Sequence, residues 1–93
     1  MLHTFKKEFF FEDKGYKEID IPLDNLTGAD INRIQKQWRA AGNMAVVPVL
    51  DAEFCAYCAA AAAKLPLEFF ERLSGQEYLR LTQKIADFFL AAD

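Results

Sequence analysis

The chain has 93 residues, of which 53% are hydrophobic, and its formal net charge at pH 7 is −3. This length suits one domain with one hydrophobic core, and the apolar content excludes a disordered chain. The negative balance disfavours nucleic acid and anionic membranes as partners, because both carry negative charge themselves.

Targeting and membrane signals are also absent from the sequence. No apolar run approaches the roughly 20 residues that a bilayer-spanning helix needs. The first eight residues lack the charged segment, apolar core and cleavage site of a signal peptide. Two cysteines, Cys55 and Cys58, are too few for a disulfide framework and suit a reducing compartment. We therefore expect a cytoplasmic protein with a single domain over residues 1–93.

Residues 4–23 are predicted to form a β-hairpin. The tripeptide 13–15 fits a three-residue connection in which Gly15 adopts a left-handed conformation. That loop length sets a register in which Phe11 lies opposite Lys17. One face of the hairpin then collects the apolar side chains that should cover the helices, namely Phe5, Phe9, Phe11, Ile19, Ile21 and Leu23.

The first two predicted helices are recognised by their caps. Thr27 and Asp30 have the spacing of a capping box, and the Gly-Asn pair 42–43 ends the helix that follows. An apolar connection then leads to Asp51, a plausible cap for a second helix that reaches about Lys64. Alanines dominate the second half of this helix, which favours helix formation and close packing by neighbours.

Two further helices complete the prediction. Pro66 suits the first turn of a short third helix over residues 67–73, and residues 74–77 have the spacing of a second capping box for a last helix to about residue 91. The predicted fold class is therefore mainly α, with an N-terminal β-hairpin over residues 4–23 followed by a small bundle of three to four helices over residues 27–91.

The residues capable of chemistry do not assemble into a catalytic site. Cys55 and Cys58 have the spacing of a redox or zinc motif, but they lie inside a predicted helix, and zinc needs two further ligands. We interpret both as small buried apolar side chains. His3 is interpreted as an exposed terminal residue. No nucleophilic triad, acid–base pair or glycine-rich phosphate loop is recognisable, so we predict no catalytic, cofactor-binding or metal-binding residue and no enzyme.

The surplus of aromatic residues is the informative feature. Phe69–Phe70 and Phe88–Phe89 are adjacent pairs, and neighbours on a helix point about 100° apart, which makes it difficult for a small bundle to bury every ring. Either all rings belong to the core, or some form a surface for an apolar partner segment. The predicted partner-binding residues are Phe69, Phe70, Tyr78, Phe88 and Phe89. Because a two-stranded hairpin has unpaired edges, the predicted self-association contacts are Phe10 and Tyr16 on its outer face.

One alternative uses the first predicted helix. The helix around Arg33–Arg39 carries three cationic side chains, and a helix of this kind can face DNA as the recognition helix of a small DNA-binding prophage regulator. The small size of this cluster and the acidic chain weigh against that alternative.

Three segments carry a family resemblance. Residues 26–31 (LTGADI), residues 65–79 (LPLEFFERLSGQEYL) and the ending 85–90 resemble the tail assembly chaperones of P2-like and Mu-like phages. The shared features are a leucine-threonine-glycine helix start and an alanine-rich helix that leads into a leucine-proline turn.

This resemblance implies a non-enzymatic protein from a phage or prophage gene. Such a protein would bind the tape measure protein and keep it soluble before the tail tube polymerises, with the tail tube protein as a second candidate partner. It would act in the cytoplasm of the bacterial host, form a homo-oligomer and be absent from the mature virion.

Overall fold

The computed structural model describes residues 1–91, so the last two residues of the predicted single domain lie outside the described part. The hairpin consists of β1 (Leu2–Phe11) and β2 (Lys14–Asp20). The helices are α1 (Gly28–Ala40), α2 (Ala52–Ala63), α3 (Leu67–Glu71) and α4 (Gly75–Leu90), and short 3₁₀ turns occupy Leu23–Asn25 and Pro48–Leu50. The predicted order of a hairpin and then a mainly helical remainder is confirmed.

The hairpin turn differs from the prediction. Glu12 and Asp13 have φ angles of 49° and 65°, and Phe11 pairs with Lys14. Two consecutive left-handed residues define a type I′ turn, whose twist matches that of paired strands. The predicted three-residue turn is therefore wrong, and Gly15 lies within β2. Asp tolerates the left-handed conformation better than most residues, which explains how a turn without glycine forms here.

The predicted strand register is wrong for the same reason. An irregularity in β1 moves the observed register further from the prediction. Phe9 pairs with Tyr16 and Thr4 pairs with Glu18, so residues 5–8 of β1 face a single residue of β2. Paired residues of antiparallel strands point to the same face. Tyr16 therefore shares the inward face with Phe9 and is partly buried, which corrects its predicted position on the outer face.

Phe69 on the short helix α3 is the centre of the aromatic core. Its side chain is fully buried, and its ring centroid lies within 6.4 Å of five other aromatic rings. Four of these pairs are edge-to-face, the arrangement that aromatic quadrupoles prefer. The rings around Phe69 are those of Phe5, Phe9, Phe11, Tyr16 and Phe70. Phe70 is also fully buried. Both residues belong to the core, which corrects their assignment to a partner surface.

Helix α2 lies in the middle of the helical part. It contacts α1, α3, α4 and both 3₁₀ turns. Alanines and cysteines form most of its buried side, and such small side chains allow the backbones of neighbouring helices to approach closely. At its C-terminal end, Lys64 has a left-handed φ of 57° and ends the helix.

Asp51 connects α1 to α2. One carboxylate oxygen, Oδ1, accepts hydrogen bonds from the backbone N–H of Phe54 at 2.9 Å and from Nε1 of Trp38 at 3.0 Å. The first bond caps α2, as the sequence predicts. The second satisfies the indole N–H of a side chain that is fully buried. The capping box of Thr27 and Asp30 at the start of α1 is also present.

Replacing Asp51 with Ala should destabilise the fold by about 2–4 kcal/mol, from about 1 kcal/mol for the lost cap and about 1–3 kcal/mol for the unpaired indole N–H. Urea unfolding measures this loss. Asp51→Asn is the matched control, because its amide oxygen is able to accept both bonds. Equal losses in the two variants would contradict this role of the shared oxygen.

Replacing Phe69 with Ala should cost about 3–5 kcal/mol, the usual range for a fully buried phenylalanine. Phe10→Ala should change the free energy of unfolding by no more than about 0.5 kcal/mol, because Phe10 is 66% exposed. Thermal and urea unfolding of both variants check this difference. A Phe69→Ala protein with the same free energy of unfolding as the wild type would be inconsistent with the aromatic core described above.

Candidate functional site

The predicted partner residues that remain near the surface lie at two ends of α4. Phe88 is 41% exposed and its ring contacts the half-buried Phe89 at a centroid distance of 5.6 Å. Tyr78 is also half-buried but lies near the start of the helix, roughly 15 Å away along its axis. Burial, with the negative charge of Glu53 nearby, raises the pKa of Tyr78 to about 12, so its phenol stays protonated. The structure therefore does not bring the five predicted residues together.

A different set of apolar side chains is exposed on the connection between α1 and α2. Met44 and Val46 are 87% and 92% exposed, and Leu50 is 65% exposed. Val47 is also among the exposed large side chains. The signal for this surface was present in the sequence, because loops are usually polar and residues 44–50 are apolar throughout.

The turn Pro48–Leu50 packs against α4, and its residues help to line two grooves. The first, the Pro48 groove, has a volume of about 310 Å³ and is lined by Ile31, Gln35, Pro48, Val49, Phe54, Phe89 and Leu90. The second, the Leu79 groove, has a volume of about 270 Å³ and is lined by Leu50, Ala52, Cys55, Leu79, Thr82, Gln83 and Ala86. We use the term apolar surface for residues 44–50 together with these two grooves.

The three cations of α1 differ in how far their charge is balanced by neighbouring groups. Arg33 forms an ion pair with Asp30 one turn earlier. The guanidinium of Arg39 lies 5.1 Å from the centroid of the Trp38 ring. Lys36 is exposed and has no ion-pair partner within residues 1–91. The DNA-binding alternative stays a prediction.

His3 is fully buried, so its interpretation as an exposed terminal residue is wrong. Its Nε2 lies 3.2 Å from Oε2 of Glu77, and its Nδ1 lies 3.4 Å from Nζ of Lys84. An ammonium group only donates hydrogen bonds, so Nδ1 accepts and the imidazole proton resides on Nε2. The sequence signal was the alternation of β1, in which His3 has the same parity as the inward-facing Phe5.

Glu77 links the irregular part of β1 to α4. Its Oε1 accepts a hydrogen bond from the backbone N–H of Lys6 at 3.0 Å, and its carboxylate also pairs with Arg80. Arg80 in turn donates to the backbone oxygen of Thr4 at 2.7 Å. The predicted second capping box is therefore half present: Ser74 caps the backbone N–H of Glu77, but the Glu77 side chain binds β1 instead.

Two pKa values in this cluster are lowered, those of His3 and Glu77. Burial of the imidazole, followed by the positive charges of Lys84 and Arg80, lowers the pKa of His3 despite the opposing effect of Glu77. Burial acts to raise the pKa of Glu77, but the Lys6 N–H and Arg80 outweigh it, so that pKa is also lowered. At neutral pH the cluster therefore holds a neutral imidazole beside an ionised carboxylate.

Both cysteines are free and buried on α2. Burial raises the pKa of Cys55 to about 11 and that of Cys58 to about 12, so both thiols stay protonated at neutral pH. Their interpretation as small buried side chains is confirmed. Within residues 1–91, no group of three or more His, Cys, Asp or Glu side chains is placed to hold a metal ion, and none of the helices is long and apolar enough to cross a bilayer.

Comparisons of this chain with protein-family models, curated proteins and solved structures found no match.

The apolar surface is the strongest candidate for a binding site. Small monomeric proteins seldom leave several large apolar side chains together in water, and those that do usually bind a partner there.

Acid should reveal the buried state of His3. The wild-type free energy of unfolding should fall as the pH drops below 6.5, the ordinary pKa of His, because the unfolded chain gains a proton that the folded one resists. This loss continues until the pH is below the folded pKa, and Glu77 adds its own loss below its ordinary 4.5.

Urea unfolding between about pH 7.5 and pH 5 measures this dependence. His3→Gln is the matched variant, because an amide is able to donate to Glu77 and accept from Lys84 but does not titrate. Its stability should vary less with pH over this range. Equal pH slopes for the two proteins would contradict the assignment.

Proposed function

We propose that this protein is a phage or prophage tail assembly chaperone that binds the tape measure protein and keeps it soluble during tail tube assembly. The observation that carries the proposal is the apolar surface, with its exposed connection and two grooves beside α4. The choice of the tape measure protein as the client rests on the resemblance of residues 26–31, 65–79 and 85–90 to tail assembly chaperones.

The chemistry of the surface suits a helical client. An amphipathic helix presents a stripe of apolar side chains at a spacing of three to four residues, and such helices bind in hydrophobic grooves of a partner. Burying apolar area contributes roughly 25 cal/mol for each Å² removed from water, before the cost of association is subtracted. Covering the client's stripe in this way would prevent the same stripe from associating with other client molecules.

The contact residues follow the exposed positions of the fold. Phe89 lines the Pro48 groove and stays in the proposed client surface, together with Val46 and Leu50. The exposed Phe88 lies outside the two grooves but contacts Phe89, so it stays in the proposal as a neighbouring contact. Phe10, on the exposed face of β1, remains the proposed self-association contact.

The rest of the biological setting belongs to the same proposal. The protein would act in the cytoplasm of a bacterial host, form a homo-oligomer along its long client and be absent from the mature virion. The tail tube protein is a second proposed partner. Retention on heparin would favour the DNA-binding alternative, since binding to a polyanion requires a net positive face.

Co-expression with the neighbouring tape measure candidate tests the proposal. The wild-type chain should co-purify with that protein and keep it soluble. The variant Val46→Ser/Leu50→Ser should capture much less, because it removes two exposed apolar side chains while it changes stability by no more than about 1 kcal/mol.

Leu2→Ser is the matched control. Leu2 is 56% exposed on β1 and lines neither groove, so capture should stay at the wild-type level. If the client precipitates while wild-type protein remains free, the proposed function is wrong. Equal capture by all three proteins would remove the apolar surface from the proposal.

A further inference from the structure

A basic patch lies directly beside the Pro48 groove. Lys36 and Arg39 line a shallow depression on the exposed side of α1. Gln35 lines both this depression and the Pro48 groove, so the two features share a wall. A partner that fills the groove therefore comes within reach of both cations.

The depression is locally positive although the chain as a whole has a net charge of −3. Lys36 and Arg39 are exposed, and neither forms an ion pair with any residue between 1 and 91. The adjacent Arg33 differs, because Asp30 already balances its charge. None of the side chains that line the Pro48 groove is charged. The surface thus combines an uncharged apolar groove with a positive rim along one side.

We propose that the Pro48 groove binds an amphipathic helix with acidic side chains beside its apolar stripe. An apolar side chain of that helix enters the groove between α1 and α4, and its carboxylates pair with Lys36 and Arg39. The inference rests on the proposed function, because it specifies the kind of client segment that this surface takes.

The spacing of the two cations favours a helical partner. Lys36 and Arg39 are one turn apart on α1, and side chains in this relation have Cβ atoms roughly 5–6 Å apart. Carboxylates one turn apart on a partner helix have the same spacing. Charges at the rim of an interface contribute mainly to orientation and association rate, whereas the apolar contact provides most of the affinity. The cations would therefore select which client helix binds and in which direction.

Two fluorescein-labelled peptides provide the test. Both carry the same leucine stripe at helical spacing, one with glutamates beside the stripe and the other with lysines at the same positions. Fluorescence anisotropy at low salt should show that the wild-type protein binds the glutamate peptide roughly tenfold tighter, as two exposed ion pairs allow. Added salt should reduce that preference.

Charge reversal gives the sharper result. Lys36→Glu/Arg39→Glu should invert the preference, so that the lysine peptide binds more tightly. The matched control is Lys14→Glu/Lys17→Glu on β2, which changes the net charge equally and should keep the wild-type preference. If the double reversal does not fold, Lys36→Glu alone should reduce the preference, because Lys36 is exposed on α1.

Amide chemical shifts locate the bound peptide. Chemical-shift changes on adding the glutamate peptide that centre on Gln35, Val49 and Leu90 support the proposal. Changes confined to another surface overturn it. Equal wild-type affinity for the two peptides also overturns it. A peptide preference without capture of the tape measure candidate would leave this inference standing and remove the proposed function. The inference alone would be removed if the Lys36→Glu/Arg39→Glu variant captures the tape measure candidate as well as the wild type does and shows no preference between the two peptides.

Discussion

The burial of Phe69 is the contact on which the arrangement of the whole chain depends. A two-stranded hairpin is at best marginally stable in water, so its inward rings need a surface to cover. Phe69 provides the centre of that surface and contacts rings from both strands. Helix α3 is only five residues long, but it lies between the hairpin and α2. The hairpin and the helical part therefore share one hydrophobic core.

Polar contacts between β1 and α4 fix how the hairpin sits on that core. Lys6 lies in the irregular segment of β1, which has no regular pairing with β2, and its N–H donates a hydrogen bond to Glu77. His3 and Arg80 complete the cluster. A buried polar group without a partner is costly, so a shifted register would leave several of these groups unsatisfied. Apolar contacts in the aromatic core hold the hairpin against the helices but constrain its orientation only weakly. The hydrogen bonds and ion pairs around Glu77 fix that orientation.

The accuracy of the sequence predictions follows the range of the interactions involved. Helix starts at Thr27, Asp51 and Ser74 were predictable because a cap and its N–H group are three residues apart. The hairpin register was not, because it depends on a turn type and on contacts between β1 and α4. The burial of Phe69 and Phe70 also required tertiary information, since adjacent helix positions are both covered only when α3 has neighbours on two sides. At the candidate site, Phe89 was among the predicted partner residues and lines the Pro48 groove, whereas the exposure of residues 44–50 depends on how the connection packs against α4.

The distance along the chain between contacting residues has a consequence for synthesis. His3 and Glu77 are 74 positions apart. The aromatic rings of the hairpin likewise pack on Phe69, which is translated much later than the hairpin. At roughly 5–20 residues per second, several seconds separate the translation of the hairpin from that of α4. For most of this interval the nascent hairpin lacks Phe69, the residue at the centre of the surface that covers its rings. It joins the fold only after most of the chain has left the ribosome, and until then its phenylalanines are open to contact by other nascent chains.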